Sequence, residues 1–342
     1  MRRRILGGTG ISVSEYCFGA MMLGAWGTTD HDEAVRIVHT ALDAGINFVD
    51  TADMYSDGES EVIVGKALKG RRDDVVLASK VHFPMGPDAN NGGNSRRWIT
   101  RAVEDSLRRL DTDYLDVYQL HRFDHTTDLE ESLSVLSDLV RAGKVRVIGS
   151  SVFAAERIVE AQWVAERRGH VRPRTEQPPY SIFNRSIETA VLPTAARYGL
   201  GVLTWSPLAG GWLSGRYEKA TDVDLTTGRR TVQRHKFDPA LPANARKLEV
   251  VAELRKLAAE LGSSLTHLAL AFVRAHPAVT SAIIGPRTHE QLTDLLAGVD
   301  LVLEDDVLDR IDEIVPPGTD LNPLDADYLP PSLADSALRR RR

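Results

Sequence analysis

The strongest constraint on the fold of this 342-residue chain is an alternation that repeats along its whole length. Short apolar runs rich in β-branched residues are each followed by a longer segment with helical periodicity, the pattern of consecutive βα units. Parallel strands connected by helices build either a closed barrel or an open, doubly wound sheet. The predicted strands span residues 15–18, 46–50, 75–80, 115–121, 145–151, 174–177, 202–206 and 281–285.

Eight strands alternating with helices favour the closed form, an α/β fold consisting of a single (β/α)8 TIM barrel. One such domain over residues 1–342 accommodates the length, with a core over about residues 1–315. The Pro- and Asp-rich segment 316–342 is expected to pack across the barrel and end as a loose tail. Residues 218–244 are polar and lack periodicity, so we expect them to cross the top face of the barrel.

The competing doubly wound sheet requires a glycine-rich phosphate loop between its first strand and first helix. Gly8-Thr9-Gly10 is the nearest candidate, but residues 11–14 after it alternate like a strand. These residues therefore predict an N-terminal β-hairpin at the barrel bottom, with the glycines in its turn.

Charge and composition narrow the class of partner. The chain has 42 basic and 48 acidic residues without long runs, so no basic face for nucleic acid is expected. Its single cysteine, Cys17, lies in an apolar run and suits a reducing cytoplasm. No membrane span and no secretory signal are expected, and we predict a cytoplasmic location.

Four polar side chains end or closely follow successive predicted strands: Asp50, Tyr55, Lys80 and His121. The C-terminal ends of parallel strands converge on one face of a barrel, so these residues are expected to share one pocket. Each alone has an ordinary structural explanation, such as a turn cap, a surface ring, a solvated strand end or a core histidine. Together they make a proton-donating group.

The chemistry of this group follows from the residue types. A phenol has an ordinary pKa of about 10 and is a poor acid at neutral pH. An ammonium beside it stabilises the phenolate, so Lys80 is expected to lower the pKa of Tyr55. Asp50 would hold Lys80 and balance its charge, while His121 would donate a hydrogen bond to a substrate oxygen. Reduction of a carbonyl by hydride requires such a proton supply.

The motifs Asp50-Thr51-Ala52-Asp53-Met54-Tyr55, Ser79-Lys80 and Gln119-Leu120-His121 resemble the catalytic tetrad of the aldo-keto reductases. The resemblance extends over nearly the whole chain, including residues 58–68, 143–149 and 204–211. It is closest in pattern to the branch that contains the potassium-channel beta subunits and bacterial relatives. It implies an NADPH-dependent reductase of aldehydes or ketones that uses Asp50, Tyr55, Lys80 and His121.

The resemblance also implies a cofactor site across the barrel mouth, without a Rossmann fold. Ser151 and Gln177 would hydrogen-bond the nicotinamide carboxamide, and Trp205 would lie against the ring. Arg287 is implied on the 2'-phosphate, where a guanidinium can form paired hydrogen bonds. The other implied contacts are Ser206, Leu208, Gly210 and Arg216 near the pyrophosphate, and Gly285, Gln291 and Asp294 at the adenosine end.

Two positions depart from the family pattern. Val152 stands where the family usually has the asparagine that helps to hold the carboxamide, and Leu295 stands where asparagine is common beside the adenine. Both changes bear on cofactor affinity, and neither touches the four catalytic positions.

Three other functions remain to be compared with this one. His121 and His125 are four residues apart, but they straddle a strand end and a loop, so no metal site is predicted. A nicotinamide-binding redox sensor or regulatory subunit with slow turnover would use the same fold, and the complete tetrad favours turnover over this alternative. A hydrolase using Asp50 and a second carboxylate would bind no nicotinamide.

The sequence identifies neither the carbonyl substrate nor the oligomeric state, and an oligomer is possible.

Overall fold

A computed structural model describes residues 1–226, 230, 233–328 and 335–338 of the chain. Eight parallel strands close into a barrel, and each overlaps one of the eight predicted strands, so the predicted (β/α)8 fold is confirmed. The strands of the described residues are β1 (Arg3–Ile5), β2 (Ser12–Ser14), β3 (Tyr16–Gly19), β4 (Phe48–Asp50), β5 (Val76–Val81), β6 (Leu115–Leu120), β7 (Val145–Ser151), β8 (Thr175–Gln177), β9 (Gly201–Thr204) and β10 (Val279–Ile284). Strands β3 to β10 form the barrel in chain order, and β10 pairs with both β9 and β3.

Helices follow the barrel strands and pack around them. Asp30 caps the first helix by accepting hydrogen bonds from two backbone N–H groups, and Ser95 caps the third by accepting one, from Trp98. The helices of the described residues are α1 (His31–Asp43), α2 (Glu59–Leu68), α3 (Arg96–Leu110), α4 (Leu129–Arg141), α5 (Ala155–Arg168), α6 (Val191–Tyr198), α7 (Arg234–Phe237), α8 (Pro242–Glu260), α9 (Leu265–Ala275), α10 (His289–Ala297) and α11 (Asp305–Ile314). None of them is both long and apolar enough to cross a membrane.

The periodicity of the sequence does not predict α2, because its buried side mixes polar and apolar residues. Ser60, Glu61 and Gly65 are buried in this helix together with Ile63 and Val64. A helix packed in this way lacks the separate polar and apolar faces that helical periodicity detects.

The N-terminal hairpin closes the bottom of the barrel, as predicted. β1 and β2 pair antiparallel, and residues 7–9 form a short 3₁₀ turn between them. The segment 8–10 is therefore a hairpin turn and not a dinucleotide-binding loop. Two hairpin residues, Leu6 and Val13, form an inner cluster with apolar strand side chains: Cys17, Phe48, Ala78, Val117, Val147, Leu203 and Ile283.

The C-terminal segment packs over the loops that follow β8 and β9, at the end of the barrel opposite the hairpin. The backbone N–H of Leu321 donates to the carbonyl oxygen of Phe183. Asp325 lies 2.6 Å from the ammonium of the buried Lys247. Parts of the predicted top-face excursion and tail, namely residues 227–229, 231–232, 329–334 and 339–342, lie outside the described residues.

A substitution at Gly7 tests how closely the hairpin packs against the barrel. Its φ is 53°, and a Cβ there would lie 2.4 Å from the backbone nitrogen of Gly201 in β9. Gly10 is a matched control, because its φ is 76° but a Cβ there would meet no atom of the described residues within 4 Å. We expect Gly10→Ala to cost about 1–2 kcal/mol of unfolding free energy through its left-handed backbone alone. Gly7→Ala should cost a further ~1–3 kcal/mol because the backbone of β9 must also move.

Urea unfolding of the two variants beside the unaltered protein measures both losses. Equal losses for Gly7→Ala and Gly10→Ala would show that the hairpin does not press against β9.

Candidate active site

The barrel brings the four predicted catalytic residues into one buried pocket. Asp50 ends β4, Lys80 lies near the end of β5, and His121 directly follows β6. Tyr55 begins a short 3₁₀ turn between β4 and α2. All four side chains are buried, with Lys80 fully enclosed and Tyr55 8% exposed. Their convergence follows from the common direction of the barrel strands.

Lys80 is the centre of the pocket. Its ammonium donates to Asp50 Oδ2 at 2.6 Å, to the backbone oxygen of Thr51 at 2.8 Å and to the phenol oxygen of Tyr55 at 3.2 Å. An ammonium has three hydrogens to donate, so each has an acceptor. The second oxygen of Asp50 accepts a hydrogen bond of 2.8 Å from Nε2 of Gln177. This buried ion pair therefore has the additional hydrogen bonds that a buried charge requires.

The resting site differs from the expectation that Lys80 lowers the pKa of Tyr55 below its ordinary value. Burial raises the pKa of Tyr55, and this effect exceeds the opposing attraction of Lys80 for the phenolate. For Lys80 itself, burial disfavours the charge, but Asp50 and Tyr55 together outweigh it and raise the pKa of the ammonium. The site at rest therefore holds a neutral phenol beside a charged amine.

His121 is held in its neutral form. Burial lowers the pKa of its imidazole well below the ordinary value, and the cationic side chains of Lys80 and Arg122 add to the effect. Its Nδ1 is buried and has no hydrogen-bond partner among the described residues. The imidazole packs edge-on against Tyr55, with ring centres 5.8 Å apart.

Aromatic side chains flank the pocket. The Trp26 ring lies 6.0 Å from that of Tyr55, and the Phe83 ring lies 4.8 Å from that of His121. Trp98 does not flank the pocket; it belongs to α3 and is buried in the hydrophobic core.

The ends of β7 and β8 carry the two residues implied at the nicotinamide carboxamide. The hydroxyl of Ser151 donates to the backbone oxygen of Gln177 at 2.8 Å. The side-chain nitrogen of Gln177 donates to Asp50. Val152 follows with a φ of 56°, a left-handed conformation that is unusual for a β-branched residue. Asparagine, common here in the family, tolerates that conformation far better.

The loop after β9 holds five of the implied cofactor contacts. Trp205 is half-buried, and positive φ angles at Ser206 (55°) and Gly210 (69°) fold the loop back on itself. The backbone N–H groups of Ser206 and Leu208 donate to no acceptor in the described part of the chain. Unpaired N–H groups in a loop of this kind form an anion-binding concavity, which fits a pyrophosphate. Arg216 is exposed nearby in sequence and packs on the ring of Tyr217.

The residues implied at the adenosine end lie between β10 and α10. Gly285 and Arg287 are exposed, and among the described residues the guanidinium of Arg287 has no partner. The side-chain oxygen of Gln291 accepts from the backbone N–H of Arg287 at 2.9 Å. Asp294 accepts a hydrogen bond from His267 through its backbone oxygen. Leu295 is buried in the hydrophobic core.

A second group of buried charged residues lies between β5 and the helices α2 and α3, and the motifs do not predict it. Glu61 accepts from Ser79 at 2.5 Å and from the Arg109 guanidinium at 2.7 Å. Asp53 is buried with both oxygens unpaired among the described residues. Burial, followed by the nearby charge of Glu61, raises the pKa of Asp53 to about 8. A buried acidic residue two positions before Tyr55 is the signal that could have identified this group.

The two histidines that were compared with a metal site, His121 and His125, face different rings. His121 packs on Tyr55 and Phe83, whereas His125 packs on Phe123 with ring centres 4.9 Å apart. Over the residues that the structure describes, no group of three or more His, Cys, Asp or Glu side chains is arranged to hold a metal ion.

Comparisons with known proteins agree with this geometry. Residues 15–316 match the profile described as "Aldo/keto reductase family". The chain is 42% identical over 329 residues to "Uncharacterized oxidoreductase YrpG" of Bacillus subtilis (strain 168), an alignment covering 92% of this chain and 96% of that protein. It is 36% identical over 326 residues to "Probable voltage-gated potassium channel subunit beta" of Oryza sativa subsp. japonica, covering 92% and 97%.

A further relative is "Aldo-keto reductase YhdN" of Bacillus subtilis (strain 168), 36% identical over 292 residues that cover 84% of this chain and 85% of that protein. The family profile spans the barrel from β3 to the end of α11, and it includes the strands that carry the buried tetrad. The chain therefore belongs to the aldo/keto reductase family of oxidoreductases.

Proposed function

We propose that this protein reduces aldehydes or ketones to alcohols with NADPH, and that Tyr55 is the proton donor. The observation that carries the proposal is the position of Lys80, whose ammonium contacts both Asp50 and the phenol oxygen of Tyr55. A carbonyl oxygen becomes negative as it is reduced, so it needs a nearby acid and further hydrogen-bond donors. Tyr55 and His121 provide them from one side of the pocket.

Tyr55 enters the reaction as a neutral phenol, since burial keeps its pKa above the ordinary value. Transfer of its proton to the substrate oxygen leaves a phenolate 3.2 Å from the Lys80 ammonium. The ion pair formed at that moment offsets the cost of creating a buried charge. Lys80 therefore acts on the product of the proton transfer more than on the resting acid.

His121 supplies a hydrogen bond without competing for the proton. Its pKa lies well below the ordinary value, so the imidazole remains neutral and carries one N–H. Nδ1 lacks a partner in the described part of the chain, and we assign the proton to Nε2, which leaves that N–H for the substrate oxygen.

The residues at the mouth fit a dinucleotide. NADPH, when bound, supplies the hydride for the carbonyl carbon. The unpaired N–H groups of Ser206 and Leu208 would hold the pyrophosphate, and the Trp205 ring would lie against the nicotinamide. Ser151 and the side-chain oxygen of Gln177 would bind the carboxamide. Val152 has no polar side-chain atom, so one hydrogen bond common in the family is absent.

Preference for NADPH is assigned to Arg287. Its exposed guanidinium precedes the N-terminus of α10, where unpaired backbone N–H groups add positive charge. NADH lacks the 2'-phosphate that this arginine would bind.

A regulatory subunit that binds nicotinamide and turns over slowly is the second candidate, favoured by the similarity to a probable potassium channel subunit beta. A steady-state assay with NADPH and a reactive aromatic aldehyde separates the two. An enzyme oxidises many NADPH molecules per site at a constant rate, whereas a sensor oxidises its bound cofactor once and then slows to the rate of cofactor release.

We predict that Tyr55→Phe lowers kcat by about 10²–10⁴, the usual contribution of general-acid catalysis. The ring remains, so NADPH affinity measured by quenching of tryptophan fluorescence should change little. Aldehyde reduction at close to the original rate, with cofactor binding intact, would show that the proton comes from another group.

Lys80→Met should cause a loss of similar size, because the phenolate then forms without its ammonium partner. The double variant should be scarcely slower than either single variant, since residues that act as one unit fail together. Multiplied losses in the double variant would mean that Lys80 and Tyr55 act independently. Removing Lys80 also takes away the buried partner of Asp50, which destabilises the pocket. NADPH binding is therefore measured again, as the control that the pocket is folded.

Arg287→Ala should weaken NADPH binding by about 10- to 100-fold, as expected for loss of a charged hydrogen-bonding pair, and leave NADH binding nearly unchanged. Arg197→Ala is a matched control, because Arg197 is exposed near the end of α6 that leads to the bottom of the barrel. Equal affinities of the unaltered protein for the two cofactors would contradict the assignment of Arg287.

A further inference from the structure

Arg122 is a partly buried cation beside the tetrad whose hydrogen-bonding capacity is mostly unused. It follows His121 in the chain, and its Nη1 donates to the backbone oxygen of His121 at 2.7 Å. Its guanidinium lies over the Phe83 ring, 5.5 Å from the ring centre, and the side chain is 24% exposed. A guanidinium has five N–H donors in a planar fork, and within the described residues this one has a single hydrogen bond.

The nearby carboxylates do not satisfy Arg122. Asp327, from the C-terminal segment, lies 4.0 Å from Nη2, which is too far for a hydrogen bond. The same carboxylate already forms a close ion pair with Lys236. The oxygens of Glu176 accept hydrogen bonds from Ser150 and from the backbone N–H of Phe153. Because Asp327 is paired with Lys236 and the oxygens of Glu176 are used by other donors, most N–H groups of Arg122 have no acceptor among the described residues.

The position of Arg122 relates it directly to the reacting centre. The His121 ring contacts Tyr55 on one side and Phe83 on another, and the guanidinium lies over Phe83. One aromatic ring therefore separates the cation from the imidazole that faces the substrate oxygen. A substrate held with its carbonyl at Tyr55 and its ring beside Phe83 would extend toward Arg122.

We propose that Arg122 binds a carboxylate on the substrate and so selects carbonyl compounds that carry an anionic group about one ring's length from the carbonyl. This inference rests on the proposed reductase function. A planar guanidinium matches a carboxylate through two parallel hydrogen bonds, which Asp327 does not form in this structure. Asp327 acts as a weak internal competitor that the substrate carboxylate replaces.

The test compares two aldehydes of nearly equal shape, 4-carboxybenzaldehyde and 4-formylbenzamide, in steady-state assays with NADPH. The unaltered protein should show a higher kcat/KM for the carboxylate, mainly through a lower KM. Arg122→Met should reduce the ratio of the two kcat/KM values by about 10- to 100-fold, the usual effect of losing a charged hydrogen-bonded pair. Arg122→Lys should fall between, because it keeps the charge but loses the planar fork.

Asp327→Asn should raise the same ratio, since it removes the internal competitor. Inhibition by benzoate, compared with benzamide, gives a second measurement that is independent of turnover of these aldehydes. The inference is wrong if the unaltered protein reduces both aldehydes without preferring the carboxylate, or if Arg122→Met and Arg122→Lys both keep the original ratio. Failure to reduce either aldehyde with NADPH would instead count against the proposed function.

Discussion

The rest of the structure depends on keeping one charge, the Lys80 ammonium, inside the barrel. A buried ion loses several kcal/mol of solvation unless close partners replace water. Its acceptors come from the end of β4 and the turn after it, and Asp50 is in turn held by Gln177 at the end of β8. The ion pair is therefore satisfied only when β4, β5 and β8 keep their register in the closed barrel. A slip of any one of them would leave a buried charge without a partner.

Side chains that point into the barrel occur at every second residue of a strand, and they change from apolar at the bottom of the barrel to polar at the top. On β4, Phe48 belongs to the apolar cluster under the hairpin, and Asp50 belongs to the tetrad. On β5, Ala78 and Lys80 show the same change. Side chains two residues apart on a strand point to the same face, so one set of strands forms an apolar plug at the bottom and a polar pocket at the top. The plug contributes hydrophobic stability, and the buried charges of the tetrad lie at the other end of these strands.

The sequence predicts the barrel because parallel strands are buried on both faces and appear as apolar runs. The shared pocket of the tetrad follows from that topology without any side-chain coordinates. Contacts between residues outside a motif do not follow in this way, such as those between Gln177 and Asp50 or between Arg122 and Asp327. The left-handed backbone of Val152 is equally hidden, because it is imposed by its neighbours: the N–H of Val152 donates to Gln177, and that of Phe153 donates to Glu176.

The role of Lys80 is the point on which a sequence argument and the structure differ most. Charge alone predicts that an ammonium 3.2 Å from a phenol lowers its pKa, but the burial that encloses both groups raises the pKa of Tyr55 by a larger amount. The resting phenol therefore keeps its proton, as the proposed transfer of that proton to a carbonyl oxygen requires. Since the ammonium is already fixed by Asp50 and Thr51, it need not move when the phenolate forms, and this fixed arrangement is what electrostatic stabilisation of a developing charge requires.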